Sequence, residues 1–510
     1  MNKTVCYIPL DDRPCNIDFP KTLAAMAGWN ILSPSHEEPS SLAEWLTNSI
    51  MQSDSGVISL EKWVFGGLVQ SRLSNLSIDA AVLSLKQLED ILTLHTSWPC
   101  SASTLLLRQA PTSWNKEDIL IADTIAKLSE IEYKLHQGEN INENIIRNLK
   151  ESIPPGAWDN YIATRKRNLT INRQGIQMAS SNKLQFLAIG LDDVTKQGIN
   201  ILEREELEKE KTKNTIVLSG ADELGMALLA RFFLVQANTT PSIGVRYSTK
   251  LGPNTNTRYE PDLLEKIISD QIYCIGGRVA KNNEHPDIWL FVHSPETAQQ
   301  EATAVDPREG VPDSVNQWIS DLNECILSGE IVLLADVACA NGGDPRLMPR
   351  LLNCIPFASL SAYAAWNTTA NTVGTVLAHG IIRWLTKIIP VSPELRLRAG
   401  KAHIVFLFAR LIDDWFYQTL LRQELHGYLE EKGVSRFQLG GMLEHTEALL
   451  YKRLMPSART IFNRYFRGKT FFSGTGTNIV PIALKDLEVY FPWKRTFEAK
   501  IIPKIAISHT

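Results

Sequence analysis

The feature that most constrains the fold of this chain is an alternation that runs from residue 1 to about 380. A short, almost continuously apolar and β-branched run is followed by polar or glycine-rich residues, and then by an amphipathic helical stretch. Nine such runs stand out: TVCYIPL (4–10), SGVISLE (55–61), STLLLRQ (103–109), LQFLAIG (184–190), TIVLSG (215–220), SIGVRYS (242–248), IWLFVHS (288–294), EIVLLAD (330–336) and FASLSAY (357–363). Runs with no polar alternation predict strands covered on both faces, hence a parallel α/β sheet or barrel rather than an antiparallel sandwich with one wet face. The expected fold is a mainly parallel α/β body over 1–380, built as a (β/α)8-type barrel, with a doubly wound open sheet as the alternative. Nine strands are one more than an eight-stranded barrel needs. Pairing of the first strand with the last strand of the body distinguishes the two folds.

Residues 110–183 read as a helical excursion from this body, with helical spacing in DILIADTIAKLSEIEYKLHQ (118–137) and a basic, polar stretch at 161–179. A break falls near 381–400, where two prolines lead into a long amphipathic helix over 403–431. Residues 381–510 are therefore expected to form a mainly helical C-terminal region, closed by a strand over VYFPWKRTFEAKIIP (489–503). No internal repeat or low-complexity tract is visible.

Composition excludes several classes. With hydrophobic residues at 44% and charged residues at 21%, the 510-residue chain can fill an ordinary core, so disorder is not its main theme. Lys and Arg number 52 against 56 Asp and Glu, a net charge of −4, so the chain offers no excess positive charge to a nucleic acid backbone. Seven cysteines, none spaced as CxxC, suggest neither a disulfide framework nor a cysteine zinc site. The opening MNKTVCYIPLDDRP does not read as a signal peptide, and no stretch approaches the roughly 18 apolar residues of a spanning helix. The expectation is a cytoplasmic protein with no membrane partner; the oligomeric state is not legible.

Ligands of parallel α/β proteins gather at the carboxyl ends of the strands. After the first run come Asp11, Asp12, Arg13 and Asn16; the run at 184–190 leads to Asp192 and Asp193, and that at 215–220 to Asp222 and Glu223. Arg246 lies in the run at 242–248, and His293 ends the run at 288–294. Asp336, Asn341 and Asp344 follow the run at 330–336, and Trp366, Asn367 and Asn371 follow the ninth. Any one of these clusters suits a helix cap or a turn. Taken together they are the makings of a polar pocket.

Paired carboxylates support glycosidic cleavage, in which one acid protonates the leaving oxygen and a second stabilises the cation, activates water or orients a participating group. Asp192, Asp193, Asp222 and Glu223 are the candidate catalytic set. The same chemistry allows a divalent-metal reading, with Asp11, Asp12, Asp192, Asp222 and Asp336 as oxygen ligands for Mg²⁺ or Mn²⁺. Trp366 beside Asn367 favours a sugar, because an indole covers the apolar face of a pyranose while an amide supplies a donor and an acceptor. Arg165 and Asn168, at i,i+3, form a polar stripe that either lines this pocket or faces solvent. Phosphate-loop, dinucleotide, HExxH and GxSxG motifs are missing from the sequence, and no cofactor is expected on the main reading.

The motifs IPLDDRPCN (8–16), VFGGLVQSR (64–72), ATRKRNLTIN (163–172), GLDDV (190–194), SGADELGMALLAR (219–231), ADVACANGGD (335–344), YAAWNTTANTVGTVLA (363–378) and DDWFYQ (413–418) together resemble the DUF4127 family of bacterial proteins. That resemblance implies one recurring architecture and no mechanism. A more distant similarity is to barrel glycosidases of the O-GlcNAcase and β-N-acetylhexosaminidase type. It implies Asp192 as the acid that orients an acetamido group, Asp193 as the general acid, and Trp366 and Asn367 near the sugar. The surplus strand, the ADVACANGGD segment and the DDRP opening depart from it, and the second carboxylate stays open to Asp222 or Glu223. The expected function is hydrolysis of a small glycoside, with a metal-dependent enzyme or a non-catalytic carbohydrate-binding or regulatory protein as alternatives. Asp12, Arg13, Asp192, Asp193, Asp222, Glu223, Asn341 and Trp366 are expected around one cavity.

Overall fold

The computed structural model describes residues 3–35, 41–73, 75–112, 116–389, 392–472 and 478–509. Met1, Asn2 and Pro390, the first proline of the expected break, lie outside them. The strands in chain order are β1 (Thr4–Ile8), β2 (Asn30–Leu32), β3 (Ser55–Ser59), β4 (Cys100–Leu106), β5 (Phe186–Leu191), β6 (Thr215–Ser219), β7 (Ser242–Tyr247), β8 (Arg278–Val279), β9 (Ile288–His293), β10 (Gln300–Glu301), β11 (Val332–Asp336), β12 (Cys339–Ala340), β13 (Ala362–Ala364), β14 (Phe471–Phe472), β15 (Asn478–Tyr490) and β16 (Lys500–His509). Eight of the nine expected strands are among them; of the ninth, expected over 357–363, only the last two residues fall in β13, and Phe357–Ser359 is a 3-10 turn, where Pro356 precedes and the backbone bonds close locally. The additional ones are short edge pieces or belong to the C-terminal region, where too few apolar residues stand in a row to make a pattern.

The chain divides into two compact units. The first, residues 1–12, 30–228 and 259–262, carries a six-stranded, wholly parallel sheet in the order β2-β1-β3-β4-β5-β6. The second, residues 13–29, 229–258 and 263–510, carries a five-stranded parallel sheet in the order β13-β11-β9-β7-β8. The expected barrel is corrected here: β1 pairs with β2 and β3, not with β13, and both sheets are open. Counted from its own first strand, each sheet runs 2-1-3-4-5, with β6 added at the end of the first. Both therefore place a topological switch point beside their first strand. The repetition lies in strand order and not in residues, which is why no sequence repeat betrays it.

Burial explains the apolar runs. Every residue of β3, β5, β6 and β11 is buried, as expected of strands covered on both faces. Each fully buried Leu, Ile or Val side chain there contributes roughly 1.5–3 kcal/mol. The end of β6 is held by a close backbone approach. A Cβ at Gly190 would stand 2.3 Å from the Gly220 carbonyl, and one at Gly220, where φ is +118°, would collide with the Glu223 carboxylate at 1.8 Å. Only glycine satisfies both positions.

The excursion forms three helices, Lys116–His136, Glu143–Glu151 and Ala157–Ser180. In the second unit the long C-terminal helix is not uniform. It runs as an α-helix over Pro393–Arg410, is π-wound over Leu411–Leu421, and returns to α over Arg422–Glu431. The strand expected over 489–503 is broken: β15 ends at Tyr490, β16 begins at Lys500, and the two pair antiparallel, so 491–499 forms a connection between them. Among the described residues no helix is long and apolar enough to cross a membrane.

Candidate functional site

In the first unit two of the strand-end acids are held in ion pairs. Asp192 pairs with Arg72, and Asp193, at a φ of +44°, pairs with Arg108. The neighbouring carboxylates thus turn to different partners, as successive residues at a strand end must. The Glu223 carboxylate accepts a hydrogen bond from the Ala221 N–H (3.0 Å) ahead of helix Leu224–Gln236, a capping position, and Asp222 beside it is buried. Asp11 is buried and Asp12 exposed at the end of β1.

The polar stripe of helix Ala157–Ser180 is buried and bonded to main-chain carbonyls. Arg165 donates to the Leu107 carbonyl (3.0 Å), the Arg108 carbonyl (2.9 Å) and Glu203 (2.9 Å), and Asn168 donates to the Ser71 carbonyl (3.1 Å). Glu61, in the short helix Leu60–Phe65 after β3, is wholly buried, and burial pushes its carboxyl up to about 7 against hydrogen bonds from the Leu105 N–H and Thr104. The Thr104 hydroxyl stands 2.9 Å from Glu61 Oε1 and 2.8 Å from Asn172 Oδ1, and the Asn172 amide is oriented by its donation to the Leu105 carbonyl (3.2 Å). One hydroxyl proton cannot serve two acceptors, so proton counting also calls for a protonated Glu61.

The second unit is arranged differently. At its switch point His293 ends β9, with Nδ1 3.0 Å from Ser248 Oγ and Nε2 3.1 Å from Asp344 Oδ2. Asp344 also receives Arg346 (2.8 Å), and its N–H donates to Asp336 Oδ2 (2.8 Å). Burial pushes Asp336 up to about 6, whereas hydrogen bonds from His293 and Arg346 overcome burial at Asp344 and hold it well below the usual carboxylate range. Arg246 lies apart from this cluster, its guanidinium stacked 4.1 Å over Trp289.

Beyond the end of β13 an open cleft is lined by Arg13, Asn341, Trp366 and Asn367 among the expected residues, together with Phe19, Arg410, Asp413, Gln418, Phe497 and Glu498. Trp366 is pinned at the rim: its N–H donates to Thr372 Oγ1 (2.9 Å) and its indole N–H to Thr375 Oγ1 (3.2 Å). Asn341 and Asn367 both adopt positive φ, at +59° and +52°, and the Asn341 N–H donates to the Asn367 carbonyl (2.9 Å). Asn367 donates to Asn371 (2.6 Å), which with Thr368 starts helix Thr369–Ile388. Asn16 is buried on helix Pro14–Ala27, its amide 3.6 Å from Cys15 Sγ.

Arg410 anchors the floor, donating to Asp413 (2.8 Å) and Asp414 (2.6 Å) and stacking 4.0 Å over Phe19. Burial raises both acids, Asp414 to about 7, against the pull of Arg410. The π-winding, with its i→i+5 hydrogen bonds, brings Asp413 and Gln418 to one face, which an α-helix would not. Arg410, Asp413, Gln418, Phe497 and Glu498 were missed as site residues. The DDWFYQ motif was the only sequence signal for Asp413 and Gln418, nothing local announces that it is π-wound, and Arg410, Phe497 and Glu498 had no signal.

The expected site residues thus fall into two groups: Asp11, Asp12, Arg165, Asn168, Asp192, Asp193, Asp222 and Glu223 belong to the first unit, and Arg13, Asn16, Arg246, Asp336, Asn341, Asp344, Trp366, Asn367 and Asn371 to the second. Among the described residues no group of three or more His, Cys, Asp or Glu is arranged to hold a metal ion. No curated protein matches the sequence, and the comparisons add nothing to the likeness with barrel glycosidases. A family model described as "protein of unknown function (DUF4127)" matches residues 5–502, nearly the whole chain, and the chain belongs to the DUF4127 family.

Proposed function

We propose that this protein binds a small carbohydrate-like ligand in the cleft of its second unit, as a binding or regulatory protein. The observation that carries this reading is the wall of the cleft, where the Trp366 indole stands with Asn367 and Asn341 and opposite further aromatic and charged side chains. An aromatic face beside fixed amides suits a ring that is apolar on its face and polar at its rim. The hydrolytic reading is weaker because Asp192 and Asp193 are each paired with an arginine. Each arginine occupies a carboxylate oxygen that a general acid would have to turn toward its substrate.

The test is calorimetric titration of the full chain with a panel of monosaccharides that includes N-acetylglucosamine, with product analysis after long incubation. Trp366→Ala is expected to weaken binding at least about 10-fold, since a stacked aromatic contributes more than its area alone. No binding across the panel, or undiminished affinity in Trp366→Ala, overturns the reading. Enzyme-dependent product would restore hydrolysis in its place.

A further inference from the structure

We infer that the cleft selects a neutral polyol and reads two of its hydroxyl protons with Asp413 and Asn341, an inference that rests on the carbohydrate-type reading of the same cleft. Both residues line it, and among the described residues both carry a buried side-chain oxygen with no partner at hydrogen-bonding distance, Asp413 Oδ1 and Asn341 Oδ1; the Gln418 amide beside Asp413 donates to the Phe497 carbonyl (3.1 Å). Their other side-chain atoms are committed. Asp413 Oδ2 accepts from Arg410 (2.8 Å), and Asn341 Nδ2 donates to Glu301 (2.9 Å), which fixes the amide with its oxygen on the opposite side. A buried acceptor left unsatisfied is costly, and both need a donor. Aromatic side chains supply the apolar part of the same wall, so the matching ligand has hydroxyl groups on an otherwise apolar frame.

Charge narrows the class further. The lining holds two cations, Arg13 and Arg410, and two anions, Asp413 and Glu498, already placed against one another, with Arg410–Asp413 at 2.8 Å and Arg13–Glu498 at 3.8 Å. A phosphate or uronate would face Asp413 and Glu498, and an ammonium would face the two arginines. A neutral ligand disturbs neither pair.

Titration of the full chain with glucose, galactose, myo-inositol and N-acetylglucosamine, alongside glucose 6-phosphate and glucosamine, tests this. At least one neutral member is expected to bind, and the charged counterparts more weakly. Asp413→Asn and Asn341→Gly, the latter compatible with the positive φ, are each expected to lose roughly 10-fold to 100-fold in affinity, the range for a hydrogen bond to a charged or buried group. Deoxy forms of the bound sugar, measured on the wild-type chain, are expected to show the same loss at two hydroxyl positions, a readout that does not depend on any variant folding. If Asp413→Asn, Asn341→Gly and every deoxy form bind as well as the reference while Trp366→Ala has lost binding, this inference falls and the carbohydrate cleft stands. Tighter binding of the phosphate or the amine overturns the neutrality. If no sugar binds the wild-type chain, both readings fall together.

Discussion

The two units share a strand order and differ in what surrounds the polar side chains singled out in the sequence. In the first, acids and arginines that the sequence presents as reactive are consumed in ion pairs and carbonyl hydrogen bonds: Arg72 with Asp192, Arg108 with Asp193, and Arg165 with Glu203 and two main-chain carbonyls. In the second, His293, Asp344 and Arg346 are paired in the same way, but Asp413 and Asn341, which line a cleft, each keep a buried acceptor atom without a partner among the described residues. A charge at a strand end is therefore not in itself a sign of chemistry. What matters is whether the neighbouring elements have already supplied its partner.

The sharpest way to break this comparison is to remove a partner in the first unit. Arg165 and Glu203 are both almost wholly buried, so Arg165→Met leaves an uncompensated buried carboxylate and is expected to cost about 3–5 kcal/mol in urea unfolding. Arg165→Met combined with Glu203→Met should recover much of that loss. A neutral single variant would show that the network of the first unit is not structural.

The next effect in size depends on pH. The Glu61 carboxyl is raised from 4.5 to about 7, so the folded chain holds a proton that the unfolded chain releases. Its contribution is fully present below pH 4.5 and is lost as pH rises through about 7, a difference on the order of 3 kcal/mol. Unfolding free energies measured from about pH 5 to about pH 8 should fall along this course in the wild type and stay flatter in Glu61→Gln. Parallel curves for the two proteins would exclude a buried neutral Glu61.

The smallest effect is expected where the sequence pointed most strongly. Asp193 and Arg108 are 28% and 29% exposed, so Asp193→Asn should cost no more than about 1 kcal/mol. It should also leave sugar binding by the second unit unchanged. A loss of affinity or turnover in this variant would bring the acid pair back as a working site.

Much of the architecture could be read from local pattern. Continuous apolar runs such as LQFLAIG identify strands covered on both faces, and the polar residues directly after each run mark its carboxyl end. Trp366 and Asn367 were legible as a pair for the same reason, being adjacent in sequence. The closure of the sheet was not legible, because a barrel and a doubly wound sheet impose the same burial on every strand. Nor was the use of Asp413, since its orientation comes from a π-wound turn inside an otherwise regular amphipathic helix.

The sequence by itself determined that this protein is a parallel α/β molecule with polar residues gathered at its strand ends, because those properties depend on the order of apolar and polar residues over a few positions. The tertiary structure alone decided that two open sheets form, that Arg72 reaches Asp192 across 120 residues and Arg108 reaches Asp193 across 85, and that Asp413 and Asn341 keep an oxygen free beside Trp366. Strand pairing and ion pairing join residues far apart in the chain, so no local propensity encodes which acid is neutralised and which is left to meet a ligand.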